Sequence, residues 1–263
     1  MSVSDSEPPK HNAPSHAPAP TPHPLQTPPL PNYKGRISNT PLAASLVSFI
    51  LGSVFALGAL TFVAGAFAGS SWWVTGQLGF FVAAWAAFHW GEYAVTAGWN
   101  LEKCSVDSFL LENGMTYHLA HGTALAEYII TMYVRPGWKT HGGITLAGIV
   151  LVLAGQVLRS MAMIHASTNF SHAVAFRKRE AHVLVTDGVY AWLRHPSYTG
   201  FFYWAVGTQL VLQNPFSALI YVVLLWRFFY YRVKAEERAL VVFFGDAYVQ
   251  YRNRVGTMIP FVP

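Results

Sequence analysis

The stretch from Leu42 to Ala68 carries no charged residue and exceeds the roughly 20 residues a helix needs to cross a hydrocarbon core. Lipid offers no water to satisfy backbone N–H and C=O groups, so a segment of this kind must be helical there. Further apolar runs follow at Trp72 to Gly98, Tyr117 to Val134 and Gly142 to Ile164. Two shorter ones, Tyr198 to Leu212 and Phe216 to Tyr231, are separated by Gln213, Asn214 and Pro215, turn chemistry that predicts a helical hairpin. The expected fold is all-α, a polytopic transmembrane bundle of about six spans. Composition agrees: 53% of residues are hydrophobic and 11% charged, against roughly a quarter charged in soluble domains. Gly65 and Gly69 have the GxxxG spacing that permits close helix packing.

Six spans place both ends on one side. Lys34, Arg36, Arg177, Lys178, Arg179, Arg227, Arg232, Lys234, Arg238, Arg252 and Arg254 then share one face, which the positive-inside rule makes cytosolic. Arg135 and Lys139 fall on the other face. The net charge of +5 reflects this bias rather than a nucleic-acid partner. Residues 1–40, rich in Pro, Ser, Ala and His, cannot bury enough apolar surface to order and are expected to form a disordered cytosolic tail. Met1 to Pro31 lacks the apolar core of a signal peptide. Residues 41–165 then hold the first four spans, and 166–263 the catalytic region. The single cysteine, Cys104, leaves no internal disulfide, and no Cys/His zinc spacing occurs.

Several ionisable groups lie within the apolar runs: His89 and Glu92 on the second, His118, His121 and Glu127 on the third. Such groups are expensive in lipid and face the bundle interior. A His/Glu metal site is one reading and inter-helix hydrogen bonding the other; no metal is assigned. Arg159, late in the fourth run, is expected to snorkel to the cytosolic interface.

Chemistry concentrates from His182 onward. HVLVTDGVYAWLRHPSYTGFFYWAVG leads into the hairpin, and WRFFYYRVKAEERALVVFFGDAYVQYRNRVGTMIPF follows it. Pro196 disfavours helix at His195, so Arg194, His195, Ser197 and Tyr198 gather at the mouth of the fifth span. The sixth span delivers Arg232, Lys234, Glu236 and Glu237 to the same face. A polar, aromatic pocket there suits a polar cofactor meeting a lipid substrate. Read from spacing alone, Arg232 and Glu236 fit an ordinary helix-surface ion pair, and Tyr190 and Tyr198 fit an interfacial aromatic belt.

This C-terminal part resembles the isoprenylcysteine carboxyl methyltransferases. The RHPxYxG core stands at Arg194, His195, Pro196, Tyr198 and Gly200; HVLVTDGVY precedes it, and WRFF, Glu236-Glu237 and YVQYRNRV…IPF follow. Asn169 to His172 also fits. The core alone is shared with sterol reductases and phospholipid N-methyltransferases, which remain alternatives. The resemblance implies S-adenosylmethionine as methyl donor, held by His182, Val183, Leu184, Val185, Tyr190, His195, Pro196, Ser197, Tyr198 and Glu236. It also implies Arg232 as the prenylcysteine contact, with Arg232, Glu236 and His195 carrying catalysis. Prenylated CaaX proteins would be the substrates, in the endoplasmic reticulum membrane with both termini cytosolic, and membrane lipid the other partner. One departure is Ala175, where relatives can carry a cofactor-contacting Gln. The acceptor α-carboxylate, with a free pKa of about 3.5, is already ionised at neutral pH and needs no general base.

Overall fold

The computed structural model describes residues 37–67 and 75–262. Most of the expected tail, including Lys34 and Arg36, lies outside the described residues, as do Gly69 and the start of the second expected span at Trp72. Among the described residues there is no strand. The helices are α1 (Pro41–Phe67), α2 (Gly76–Trp99), α3 (Met115–Val134), α4 (Gly142–Ala166), α5 (Pro196–Leu212), α6 (Pro215–Phe244) and α7 (Asp246–Arg254). Among the described residues, three segments are long and apolar enough to cross a membrane: Pro41–Gly65, Gly142–Asn169 and Pro215–Phe244.

Local chemistry sets the boundaries. Thr40 Oγ1 accepts from the Ala43 amide at 3.1 Å and Thr75 Oγ1 from the Leu78 amide at 3.2 Å, capping α1 and α2. Pro196 and Pro215 open α5 and α6 at the first helical turn, where the missing N–H costs nothing. Gln213, at φ 51°, turns the chain between them. The sixth expected span ends at Tyr231, but the helix runs unbroken to Phe244 over 30 residues. Gly245, at φ 56°, ends it, a positive-φ conformation that glycine adopts without a Cβ penalty.

Glycines bring the helices together. On α4 and α5, a Cβ at Gly155 would lie 2.5 Å from the Gly200 carbonyl oxygen, and one at Gly148 2.5 Å from the Val211 nitrogen. The α1–α2 pair closes in the same way, Gly65 lying so near the start of α2 that a Cβ would stand 2.2 Å from the Gly76 nitrogen. Van der Waals contact, rather than hydrophobic transfer, holds helices together in lipid, and bare backbones maximise it.

Arg135 and Lys139 sit on the face opposite the basic C-terminal region, and the reason for Lys139 is structural. Its ammonium donates to the Gln213 carbonyl at 2.8 Å and to Asn214 Oδ1 at 2.6 Å, so the α3–α4 loop clasps the α5–α6 turn. Gln77 Nε2 donates to the Lys139 carbonyl at 2.7 Å, bringing the start of α2 to the same end. Burial there depresses the Lys139 pKa to about 8. Glu127 accepts from the Phe216 and Ser217 amides at 3.1 and 2.6 Å, capping α6 where the helix dipole favours a negative charge.

Candidate active site

At the other end of the bundle, the C-terminal ends of α4 and α6, the start of α5, α7 and the 167–195 connector enclose an open cleft with ≈ 690 Å³ of empty space. Its walls include Val183, Leu184 and Val185 from the connector, Tyr190 from a short 3₁₀ turn, His195, Ser197 and Tyr198 from the α5 mouth, and Glu236 from α6. Eight of the residues expected to hold a donor therefore share one cavity. Asn169 Oδ1 accepts from the Val183 amide at 2.9 Å, fixing the strip that would otherwise be free loop. Tyr190 donates to the Ala162 carbonyl at 3.2 Å and accepts at its own carbonyl from Tyr251 at 2.6 Å. Burial raises the Tyr190 pKa, keeping its hydroxyl protonated.

His182 and Pro196 do not reach the cleft wall. Pro196 is buried as the first residue of α5 and shapes the mouth from behind. His182 is half-buried outside the cleft, its ring 6.3 Å from that of Phe243. Partial desolvation and the nearby charges of Lys103, Arg179 and Lys178 lower its pKa.

The two adjacent glutamates have different surroundings. Glu236 faces the cleft and accepts from the Tyr198 hydroxyl. Glu237 is buried beneath it, accepting from Arg194 Nε at 2.8 Å and lying 3.3 Å from His195 Nε2. Arg194 also donates to the Arg252 carbonyl at 3.0 Å and to that of Val255. The RHP core and the C-terminal segment are thus bound as one unit, and Thr199 Oγ1 adds a bond to the Thr257 carbonyl at 2.6 Å.

Arg232 makes no ion pair with Glu236, the two being joined instead through Tyr198. Arg232 Nε donates to the Tyr198 hydroxyl at 2.8 Å, and the guanidinium lies over the rings of Tyr198 and Phe228 at 5.2 and 5.7 Å. Its Nη2 donates to the His172 carbonyl. Phe228 is exposed beside it, whereas Phe202 and Trp204 are core residues.

A charged network behind the cleft escaped the sequence reading. Arg159 does not snorkel: it is 7% exposed and paired with Glu92 on α2, Nη2 to Oε2 at 2.8 Å. It also donates to Ser197 Oγ at 3.1 Å and lies over Phe88 and Phe201. Glu92 takes a further bond, 2.9 Å, from His172 Nε2. His89 turns elsewhere, to the Phe109 carbonyl at 2.7 Å and the Tyr117 hydroxyl at 2.8 Å. The polar groups of α2 thus serve inter-helix hydrogen bonding. Glu92 and Arg159 are the lone opposite charges late in two spans that end on the same face, the signal from which their pairing was readable.

The cleft offers tyrosine faces, one carboxylate and an apolar strip beside the Arg232 guanidinium, chemistry that suits a cationic, aromatic ligand. A family model described as "Isoprenylcysteine carboxyl methyltransferase (ICMT) family" matches residues 148–242. The protein-S-isoprenylcysteine O-methyltransferase of Rattus norvegicus is 42% identical over 212 residues, covering 81% of this chain and 72% of the relative. That of Saccharomyces cerevisiae is 44% identical over 188 residues, covering 69% and 79%. A solved structure of a eukaryotic intramembrane Ras methyltransferase, ICMT, superposes with a TM-score of 0.76 at 34% identity, covering 84% of this chain and 82% of that one.

Proposed function

Since the chain belongs to the isoprenylcysteine carboxyl methyltransferase family, we propose that it esterifies the C-terminal carboxylate of prenylated cysteine with a methyl group from S-adenosylmethionine. The observation that carries the reading is the meeting of two surfaces at Tyr198. On one side is the cleft of Val183–Val185, Tyr190, Ser197 and Glu236; on the other are Arg232 and exposed Phe228. The bound donor supplies an electrophilic methyl group. Arg232 orients the acceptor carboxylate by a charge-assisted hydrogen bond, and Tyr198, holding Arg232 and Glu236 together, keeps acceptor and donor sites in register. Glu236 anchors polar groups of the donor, and the tyrosine faces favour its positive charge. His195, stacked parallel to Tyr198 with centroids 5.4 Å apart, fixes that ring. Alignment and exclusion of water supply the rate, because the carboxylate is already ionised.

The prenyl chain stays in the bilayer, where each buried CH₂ contributes about 0.8 kcal/mol. From Phe228 an apolar face of α6 leads through Leu224 to a slot against α3, bounded by Leu119, Ala120, Ile220 and Tyr221. In this reading six helices, α1 to α6, span the endoplasmic reticulum membrane, both termini are cytosolic, and the substrates are CaaX proteins. The test is transfer of labelled methyl from S-adenosylmethionine to a farnesylcysteine analogue in membranes bearing the protein. A base-labile product is expected; a base-stable product on phospholipid, with none on farnesylcysteine, would overturn it.

A further inference from the structure

We propose that His172, outside the cleft and in an irregular stretch of the connector, is a positioning residue for the acceptor side of the site; this rests on the function just given. The residue is held at one end and holds at the other. Its Nε2 lies 2.9 Å from Glu92 Oε2 and its ring meets Phe170 edge-on at 5.2 Å, interplanar angle 89°. Its backbone carbonyl accepts from Arg232 Nη2. An irregular segment does not by itself fix a carbonyl to fractions of an ångström. The side-chain clamp to a carboxylate on α2 does, and Glu92 is itself immobilised by Arg159.

The consequence falls on Arg232. Its planar fork has Nε committed to Tyr198 and Nη2 to His172, leaving Nη1 as the guanidinium nitrogen with no protein partner among the described residues. Two fixed corners of a rigid plane determine where the third points. An incoming carboxylate then meets a donor whose direction is set before binding. The same Glu92 holds Arg159, which donates to Ser197 on the donor side. One buried carboxylate thus references both halves of an in-line displacement, a reaction whose rate depends on their alignment.

Replacing Glu92 would strand a buried Arg159 and endanger folding, so the test rests on His172, which is 27% exposed at its side chain. The full chain, in lipid nanodiscs, is compared with His172→Ala and His172→Gln; the glutamine amide keeps a donor at similar reach. For His172→Ala we expect kcat/KM for a farnesylcysteine analogue to fall about tenfold, the effect of one lost hydrogen bond to a charged group. The dissociation constant for S-adenosylmethionine should stay unchanged, the melting temperature should fall by only about 3–6 °C, as one lost hydrogen bond requires, and His172→Gln should recover most of the loss. Unaltered kinetics in His172→Ala, equal weakening of donor binding, or failure of glutamine to rescue would each overturn the proposal. Absence of methyl transfer in the wild-type protein itself would instead remove the underlying reaction.

Discussion

The adjacent glutamates of α6 should separate stability from activity. Glu237 is 7% exposed and pairs with Arg194, whose side chain is equally buried. Removing one partner of a buried pair typically costs 3–5 kcal/mol, because the other charge is left uncompensated. Arg194 keeps the Arg252 and Val255 carbonyls, so Glu237→Ala belongs at the low end, about 3 kcal/mol. For a chain of this size that corresponds to a fall in melting temperature of roughly 6–12 °C. Glu236→Gln, by contrast, keeps an amide oxygen to accept from Tyr198 and exchanges only a cleft-facing charge. Its melting temperature should stay within about 2 °C of wild type, while donor binding and methyl transfer are lost. Thermal unfolding in detergent, read beside donor binding, distinguishes the two. A wild-type melting temperature for Glu237→Ala would refute the buried-pair argument. Equal destabilisation by Glu236→Gln would refute the division between neighbours.

Gly155→Leu should push α4 from α5 and sharply reduce the yield of folded protein. Gly143→Ala, at a position with nothing within 4 Å of an added Cβ, should not, as size-exclusion profiles will report. Arg232→Lys keeps the charge but loses the fork, so kcat/KM for the prenylcysteine should drop about 10²-fold, with the donor dissociation constant unmoved; retained activity would show that charge alone suffices. Lys139→Met removes two hydrogen bonds from the α5–α6 turn and should lower stability at pH 7 by about 1–3 kcal/mol. Folding depresses the Lys139 pKa from 10.5 to about 8. Across that window the unfolded chain binds the extra proton, so this group's contribution to stability rises with pH. Lys139→Met should abolish that rise in a pH series of unfolding midpoints.

What was legible in the sequence was local. Charge-free runs announce helices, Pro196 and Pro215 mark where α5 and α6 begin, and Gln213–Asn214 mark the turn between them. The RHPxYxG core points to Tyr198 and Ser197 at the cleft because its residues are adjacent in the chain. In the Glu92–Arg159–His172 network, two lone opposite charges late in their spans signalled the Glu92–Arg159 pair, but His172 lies in the irregular connector and reaches Glu92 only in the folded chain. The α4–α5 contact was hidden for a similar reason. Gly148 and Gly155 match Gly207 and Gly200 only when the helices run antiparallel, whereas Gly65 and Gly69 present a motif within one segment. The assignment of Glu237 to structure and Glu236 to the cleft depends on which side of α6 faces α5, and neighbours in a chain cannot reveal that.

Under the proposed function, the unbroken length of α6 would place the site at a membrane boundary. At 1.5 Å per residue, its 30 residues extend about 45 Å, roughly 15 Å beyond a hydrocarbon core of about 30 Å. Leu224, Phe228, Arg232, Glu236 and Leu240 recur every four residues and so form one inclined stripe along the helix. Its first two members are apolar and exposed, Arg232 lies beside Tyr198, and Glu236 and Leu240 line the cleft. A single rigid element therefore passes from an exposed apolar surface to the cleft, with Arg232, the proposed carboxylate-orienting cation, between them. A break at Tyr231 would leave those groups on separately moving pieces. In the proposed reaction, the continuous helix would fix the offset between a prenyl chain in the bilayer and a methyl donor in water, which is the distance the reaction must close.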